Sequence, residues 1–300
     1  MGEKPQHIRQ KFGPYMTLKV IGSGEHSAVY TAMHETTGKM VALRVLTITA
    51  KNVDKALEDC KHVLLDLSEM DIPNAVKIQD FGNDAETLYI AMTVLNGGTL
   101  MERMDTRMSD PNNLQLPSST DILNMLERLA IALDAIHQQG MVHGQIQPHS
   151  IMFNDRGDAF LSGVGLTRIM KVIYSLEATN SFKMTRYSPP ELWTGERPGS
   201  STDQYALACI IYQLITGKVP FNGQSIFALM QAHTNDVAAP PHYVRKGLPP
   251  DLAMVFWQAL AKPVDRRYPT IRAFYQDLQK TFSDANDISF ETDFFTFLLD

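Results

Sequence analysis

The chain has 300 residues, with 27 lysines and arginines against 33 aspartates and glutamates, for a formal net charge of −6. Hydrophobic residues make up 44% and charged residues 20%, which excludes a disordered chain and leaves room for one large core or two moderate ones. The acidic balance, with no run of lysines and arginines anywhere, argues against a general nucleic-acid binder.

No internal repeat is visible, so solenoids and propellers are set aside. Residues 12–21, 28–34 and 39–46 read as short strands, separated by Gly22-Ser23-Gly24 and by Thr36-Thr37-Gly38-Lys39. Residues 53–67 carry a helical pattern. Residues 75–81 and 87–94 are strand-like again, until Gly97-Gly98 breaks the pattern. Helices dominate from there. Ser118-Ser119-Thr120-Asp121 supplies an N-cap for a helix with Ile122, Met125, Leu126, Leu129, Leu133 and Ile136 on one face, and Gly140 ends it at the position after the C-cap. Residues 203–217 repeat that logic with Leu207, Ile210, Ile211 and Leu214, and 252–260 and 271–282 give two more apolar stripes. The organisation is a small β-rich unit joined at 95–98 to a larger helical one, and such a junction is a usual place for a ligand cleft.

The two cysteines, Cys60 and Cys209, are far apart and offer neither a disulfide framework nor a paired-cysteine metal site. The polar opening decapeptide has no signal-peptide core, and the longest apolar run, 206–215, is too short to cross a bilayer. A cytoplasmic setting follows as the expectation, with no membrane segment in this chain. The chain could equally be the cytoplasmic part of a longer membrane protein.

The stretch from Gly22 to Val29 lies between two strands, and taken alone it reads as a hairpin turn. Val41-Ala42-Leu43-Arg44 follows on the next strand. Further along come His143-Gly144-Gln145-Ile146-Gln147-Pro148-His149-Ser150, then Leu161-Ser162-Gly163-Val164-Gly165, Ser188-Pro189-Pro190-Glu191, Asp203-Gln204-Tyr205-Ala206, and the closing 259–270 with Arg267. In this order, over 12–282, the chain resembles a bacterial serine/threonine protein kinase domain, as a catalytically degenerate member. The resemblance implies a bilobal α+β fold: a small antiparallel β-rich lobe at 12–95, a mostly helical lobe at 96–282, and a tail at 283–300 that docks on the lobe or on a partner.

Carried over residue by residue, the resemblance puts the family's chemistry in doubt. Phosphoryl transfer needs positioning and charge neutralisation more than covalent help. The catalytic Asp corresponds to Gln145, its neighbouring Lys to Gln147, and the two Mg²⁺ ligands to Ser150 and Gly163. The phosphate-pairing Lys corresponds to Arg44, and no lysine lies between Gly22 and Val29 to replace it. The helix Glu that would pair with that cation falls on Cys60, Asp59 or Glu58. Met184 stands for the substrate-positioning Thr, Gly144 for the Arg beside the catalytic Asp, and Glu25 adds a negative charge near the phosphates. Asp155 and Asp158 read as a solvated turn, and His143 and His149 do not read as a metal site. The nucleotide cleft is implied at Ile21, Gly22, Gly24, Val29, Ala42, Arg44, Met92, Thr93, Leu95 and Met152, with the apolar side chains Ile21, Val29, Ala42, Met92, Leu95 and Met152 forming its adenine slot. Structural roles fall on His143, on Asp203 as the helix N-cap acid holding the catalytic loop, and on a buried Glu191–Arg267 pair.

The leading expectation is therefore a pseudokinase: a protein-binding scaffold or regulator, not an enzyme, with no catalytic residues, no required cofactor and no metal. Its partner would be an active kinase or signalling protein, with self-association as a further option. Two alternatives stay open: a sensor binding ATP or ADP without Mg²⁺, and a low-activity serine/threonine kinase using a non-standard mechanism. Ser175, Thr179, Ser181 and Thr185 are candidate phosphorylation positions, read as ordinary loop residues.

Overall fold

The computed structural model describes residues 9–24, 27–108, 116–174 and 184–286. The chain opens with β1 (Lys11–Phe12), β2 (Tyr15–Gly24), β3 (Ser27–His34), β4 (Met40–Thr47), α1 (Val53–Glu69), β5 (Ile78–Asp84) and β6 (Thr87–Met92). Then come α2 (Leu100–Met108), α3 (Ser119–Gln138), a 3₁₀ turn (Pro148–Ser150), β7 (Ile151–Phe153), β8 (Ala159–Leu161) and α4 (Leu166–Tyr174). The remainder is α5 (Pro190–Trp193), α6 (Ser200–Thr216), α7 (Ile226–Asn235), α8 (Pro241–Val244), α9 (Leu252–Ala259), a second 3₁₀ turn (Val264–Arg266) and α10 (Ile271–Asn286).

Two compact units emerge: residues up to Asn96 together with the stretch from Gly163, and the rest from Gly97. The sequence division at 95/96 assigns 163–174 to the helical unit. The fold assigns it to the β-rich unit, because α4 packs on α1.

In the first unit, six strands form one antiparallel sheet in the order β1-β2-β3-β4-β6-β5. The single strand read at 12–21 is two, because Gly13 adopts φ +52° and turns the chain ahead of Pro14. A side chain on Gly13 or Gly82 would collide with Tyr89, so both glycines make room for that ring. Strand alternation sends Tyr15, Ala32, Val41, Leu43, Val45, Tyr89 and Ala91 to one face, where they form a core cluster. Cross-strand pairing of Val29 with Arg44, Arg44 with Ile90 and Ala42 with Met92 puts these residues on the opposite face. Helix α1 starts at Asn52, whose side chain accepts the Lys55 N–H at 3.1 Å, and buries Ala56, Leu57, Cys60, Leu64 and Leu67.

In the second unit, Ser118 Oγ accepts the Asp121 N–H at 3.1 Å while Asp121 accepts the Ser118 N–H at 3.3 Å, a reciprocal cap on α3. Gly140, at φ +68°, closes the helix by donating to His137 O at 3.0 Å. The buried stripe of α3 packs against α6, α10 and β8, and full burial of each leucine there contributes about 1.5–3 kcal/mol. Asp134 caps α10 from α3, accepting the N–H groups of Ile271 at 3.0 Å and Arg272 at 3.1 Å. Helix α6 is buried on nearly every side, as its all-round apolar sequence requires, and Gly217 ends it at φ +79°. Among the described residues, no helix is long and apolar enough to cross a membrane.

Candidate functional site

The first unit supplies a glycine-bearing hairpin and a cation. Gly22 pairs with Val29, Ser23 with Ala28 and Gly24 with Ser27, so the hairpin runs in register over these last three pairs, after a shift between Val20 and Gly22. A Cβ on Gly22 would approach only Val29, at 3.8 Å, and one on Gly24 would lie 3.4 Å from Ser27 Oγ. Glu25, at the tip, lies outside the described residues. Ile21 stands 45% exposed beside the hairpin. Arg44 sits mid-sheet between Val29 and Ile90, with Ala42 and Met92 on the same face. Burial lowers the pKa of its guanidinium, and among the described residues it has no carboxylate partner. Beyond Met92, Thr93 donates its N–H to Lys77 O at 3.0 Å and accepts from Gln79 at 3.0 Å, and Leu95 is half-buried.

Of the three candidates for the helix-acid position, Cys60 faces inward. Its side chain is fully buried on the inner face of α1, while Glu58 and Asp59 point to solvent. Cys60 Sγ lies 4.0 Å from Ile169 O of α4, and burial followed by the Asp59 charge pushes the thiol up to about 11, so it stays neutral. Gly163 has φ +87° and Gly165 φ +74°, and Leu166 donates to Gly163 O at 3.0 Å to start α4. That backbone disfavours any side chain at 163, a carboxylate included.

The second unit supplies the loop from His143 to Ser150. Asp203 organises its start, accepting the His143 N–H at 2.9 Å and the Gly144 N–H at 2.7 Å, with His137 Nε2 at 2.8 Å. Helix α6 begins at Ser200, so Asp203 is an inward-facing residue of its first turn and not its N-cap. His143 bridges Ser162 O through Nε2 at 2.9 Å and accepts the Gln145 N–H at Nδ1, 3.3 Å away. This pattern fits the neutral imidazole, and burial lowers the His143 pKa accordingly. Ser150 Oγ accepts the Gln147 N–H at 3.1 Å and donates to Gln147 O at 2.8 Å, which closes the turn on itself. Met152, half-buried, pairs with Phe160 and bridges to Thr99. Asp158 pairs with Arg128 at 2.7 Å at the β7–β8 hairpin, as a turn acid does.

Glu191 and Arg267 form a buried bidentate pair at 2.9 and 2.8 Å. Arg267 also donates to Ser201 O, Ala261 O and Lys262 O, and Glu191 accepts the Thr202 hydroxyl at 2.9 Å. The reading of the sequence missed His137 and Thr202. Both act on partners distant in sequence or one turn away, and no local pattern marks them.

Residues 15–267 match the family profile described as "Protein kinase domain". The chain belongs to that family. It is 26% identical over 270 residues to the serine/threonine-protein kinase PrkC of Bacillus subtilis (strain 168), covering 90% of this chain and 41% of that protein. It is 28% identical over 277 residues to the probable serine/threonine-protein kinase PknB of Bifidobacterium longum (strain NCC 2705), covering 89% of this chain and 39% of that one. The crystal structure of the Mycobacterium tuberculosis PknI kinase domain superimposes with a TM-score of 0.68 at 21% identity, over 91% of this chain and 98% of that one, which shows the fold. The chain thus spans about two fifths of the length of the curated relatives it matches.

These matches overturn three expectations drawn from Gln145, Gln147, Ser150 and Gly163: the scaffold without transfer, the non-enzyme, and service without a cofactor or with nucleotide lacking Mg²⁺. The matched relatives carry the names of serine/threonine-protein kinases, a class that works with ATP and Mg²⁺. Lost polar groups lower a rate by finite factors; they do not by themselves remove the reaction.

Proposed function

We propose that the chain is a serine/threonine protein kinase domain of low activity, which transfers phosphoryl groups from ATP to protein hydroxyls by a non-standard arrangement. The observation that carries this reading is the family match over residues 15–267, joined to a cation, Arg44, held in place on the sheet face next to the glycine-bearing hairpin. An arginine fork binds phosphate oxygens bidentately and keeps its charge where an ammonium would lose it. Val29, Ala42 and Met92 share its face and offer an apolar surface to an adenine ring. The domain's setting would be the cytoplasm, where ATP is available.

Slow turnover follows from the loop. Gln145 has a carbonyl oxygen that can accept from a substrate hydroxyl but no carboxylate to take its proton, which costs about two to four decades in rate. Magnesium would enter with the nucleotide, bound to its phosphates. The two family ligand positions do not make a protein seat for it: Gly163 has no side chain and the Ser150 hydroxyl is engaged with Gln147. Among the described residues, no group of three or more His, Cys, Asp or Glu side chains could hold a metal ion. No step is therefore assigned to the ion; phosphate binding falls to Arg44 and orientation of the acceptor hydroxyl to Gln145.

The test is phosphoryl transfer from radiolabelled ATP with Mg²⁺ to a serine/threonine-rich protein acceptor, comparing the wild type with Arg44→Met over many hours. Slow incorporation that falls at least tenfold in the variant is expected from the loss of a charge-assisted phosphate contact. Equal incorporation by both, or none by either, would overturn the reading.

A further inference from the structure

Three methionines meet in the first unit across three neighbouring strands. Met16 of β2 pairs with Met33 of β3, and Met33 pairs in turn with Met40 of β4. Directly paired residues project from the same face of an antiparallel sheet, so the three side chains stand in one row across it. Their chain neighbours Tyr15, Ala32 and Val41 belong to the core cluster on the other face, which turns the methionine row away from that core. Met33 is 38% exposed, Met40 is 44% exposed and Met16 is half-buried. A row this open to solvent has little core to fill, and its common feature is sulfur.

The chemistry of the row selects its ligand. Paired side chains start about 5 Å apart at Cβ, and unbranched methionine arms can lean together from that spacing until three sulfurs surround one ion. Thioether sulfur is soft and uncharged: it suits Cu(I), and it offers nothing to Mg²⁺ or Ca²⁺, which take oxygen. The surroundings leave the row to its sulfurs. Lys11 of β1 stands opposite Met16, but its ammonium is paired with Glu35, so the two add no net charge. His34, next to Met33, lies edge-on to Tyr15 on the core side, and its Nδ1 accepts the N–H groups of Thr36 and Thr37. The thiols of Cys60 and Cys209 are buried on α1 and α6, and burial raises the pKa of both.

We propose that Met16, Met33 and Met40 form a binding site for a soft monovalent cation, Cu(I), held by three thioether sulfurs. The site does not depend on phosphoryl transfer, and it stands or falls apart from the kinase reading above.

A competition titration on the whole chain tests it. Cu(I), kept reduced by ascorbate under nitrogen, is shared between the protein and the chromogenic chelator bicinchoninate. The wild type should withdraw one equivalent from the chelator. Met33→Leu removes the central sulfur at nearly constant volume, so the melting temperature should hold while binding weakens at least tenfold, a loss that even groups merely orienting a metal ligand can cause. Met16→Leu and Met40→Leu should each weaken binding too, and Met254→Leu, an exposed methionine of α9, should leave it unchanged. Thioethers have no proton to lose, so the affinity should stay flat from about pH 6 to 8, whereas thiolate or imidazole sites strengthen as the pH rises. Redox-inert Ag(I) should shift the ε-methyl NMR resonances of the three methionines together. No copper withdrawn by the wild type, equal affinity in the wild type and Met33→Leu, an affinity that climbs with pH, or a silver response confined to other methionines would each overturn the site.

Discussion

Glu191→Ala removes one half of the buried pair and leaves the Arg267 guanidinium in place. Arg267 keeps its bonds to Ser201 O, Ala261 O and Lys262 O, and its face still lies over the Tyr205 ring at 4.7 Å. Two charge-assisted bonds, at 2.9 and 2.8 Å, disappear, and the Thr202 hydroxyl loses its acceptor. Hydrogen bonds to charged groups contribute about 1.5–3 kcal/mol each, so the sum is about 3–6 kcal/mol. Breaking a buried pair on one side costs about 3–5 kcal/mol, which agrees. In a unit of this size that lowers the melting temperature by about 10 °C. Urea unfolding should show a lower midpoint with an unchanged slope, because the surface exposed on unfolding hardly changes. Glu191→Gln should lose about half as much, since one acceptor remains for the guanidinium. Loss below about 1 kcal/mol in Glu191→Ala would refute the claim that this pair holds α5 to the residues preceding α10.

Three further outcomes follow from the same geometry. His233 is fully buried against Trp193, Tyr205 and Phe221, and burial followed by the Lys262 charge brings its pKa down to about 4. Its folded form holds the proton less tightly than the unfolded chain, so stability present above pH 6.5 is lost as the pH falls toward 4, by about 3 kcal/mol. His143 acts with the same sign. His233→Phe should therefore flatten the dependence of melting temperature on pH between about 6.5 and 4, and an unchanged slope would contradict the assignment. Gly163→Asp, although it restores a family carboxylate, should destabilise the first unit by about 1–2 kcal/mol in thermal melts, because φ +87° strains an L side chain; equal stability would show that the turn relaxes freely. Gln145→Asp should raise the transfer rate by about tenfold or more by supplying a general base, and a rate unchanged from wild type would mean that proton removal does not limit the reaction.

Much of the fold was readable from local pattern. Ser118 and Gly140 bracket α3 where capping chemistry puts them, and alternation gave the strands to within a few residues. The exceptions are informative. Residues 166–174 carry Leu166, Ile169, Met170 and Ile173 at helical spacing, yet the motif register at 161–165 masks that periodicity, and α4 was missed. The turn at Gly13 split a strand because one left-handed residue outweighs the β propensity on either side. In the site, the positions of Arg44 and the 143–150 loop were legible because each belongs to a contiguous motif. Cys60 could be separated from Asp59 and Glu58 only once α1 had an inner face and α4 to fill it. His137 meets Asp203 across 66 residues of sequence, a distance over which no spacing rule operates. The functional reading failed for a different reason. The identities of four side chains do not decide whether a reaction occurs, because each substitution speaks only to a rate. The candidate phosphorylation positions Ser175, Thr179 and Ser181, and the tail from 287 onward, lie outside the described residues.

The central claim is phosphoryl transfer by this domain, and intact-protein mass spectrometry tests it most directly. Purified wild type and Arg44→Met are each incubated with ATP and Mg²⁺ overnight beside a serine/threonine-rich acceptor protein. The account predicts that the acceptor gains phosphoryl groups on serine or threonine with the wild type and far fewer with the variant. An acceptor whose mass is unchanged by the wild type, under conditions where a control kinase modifies it fully, would contradict the account.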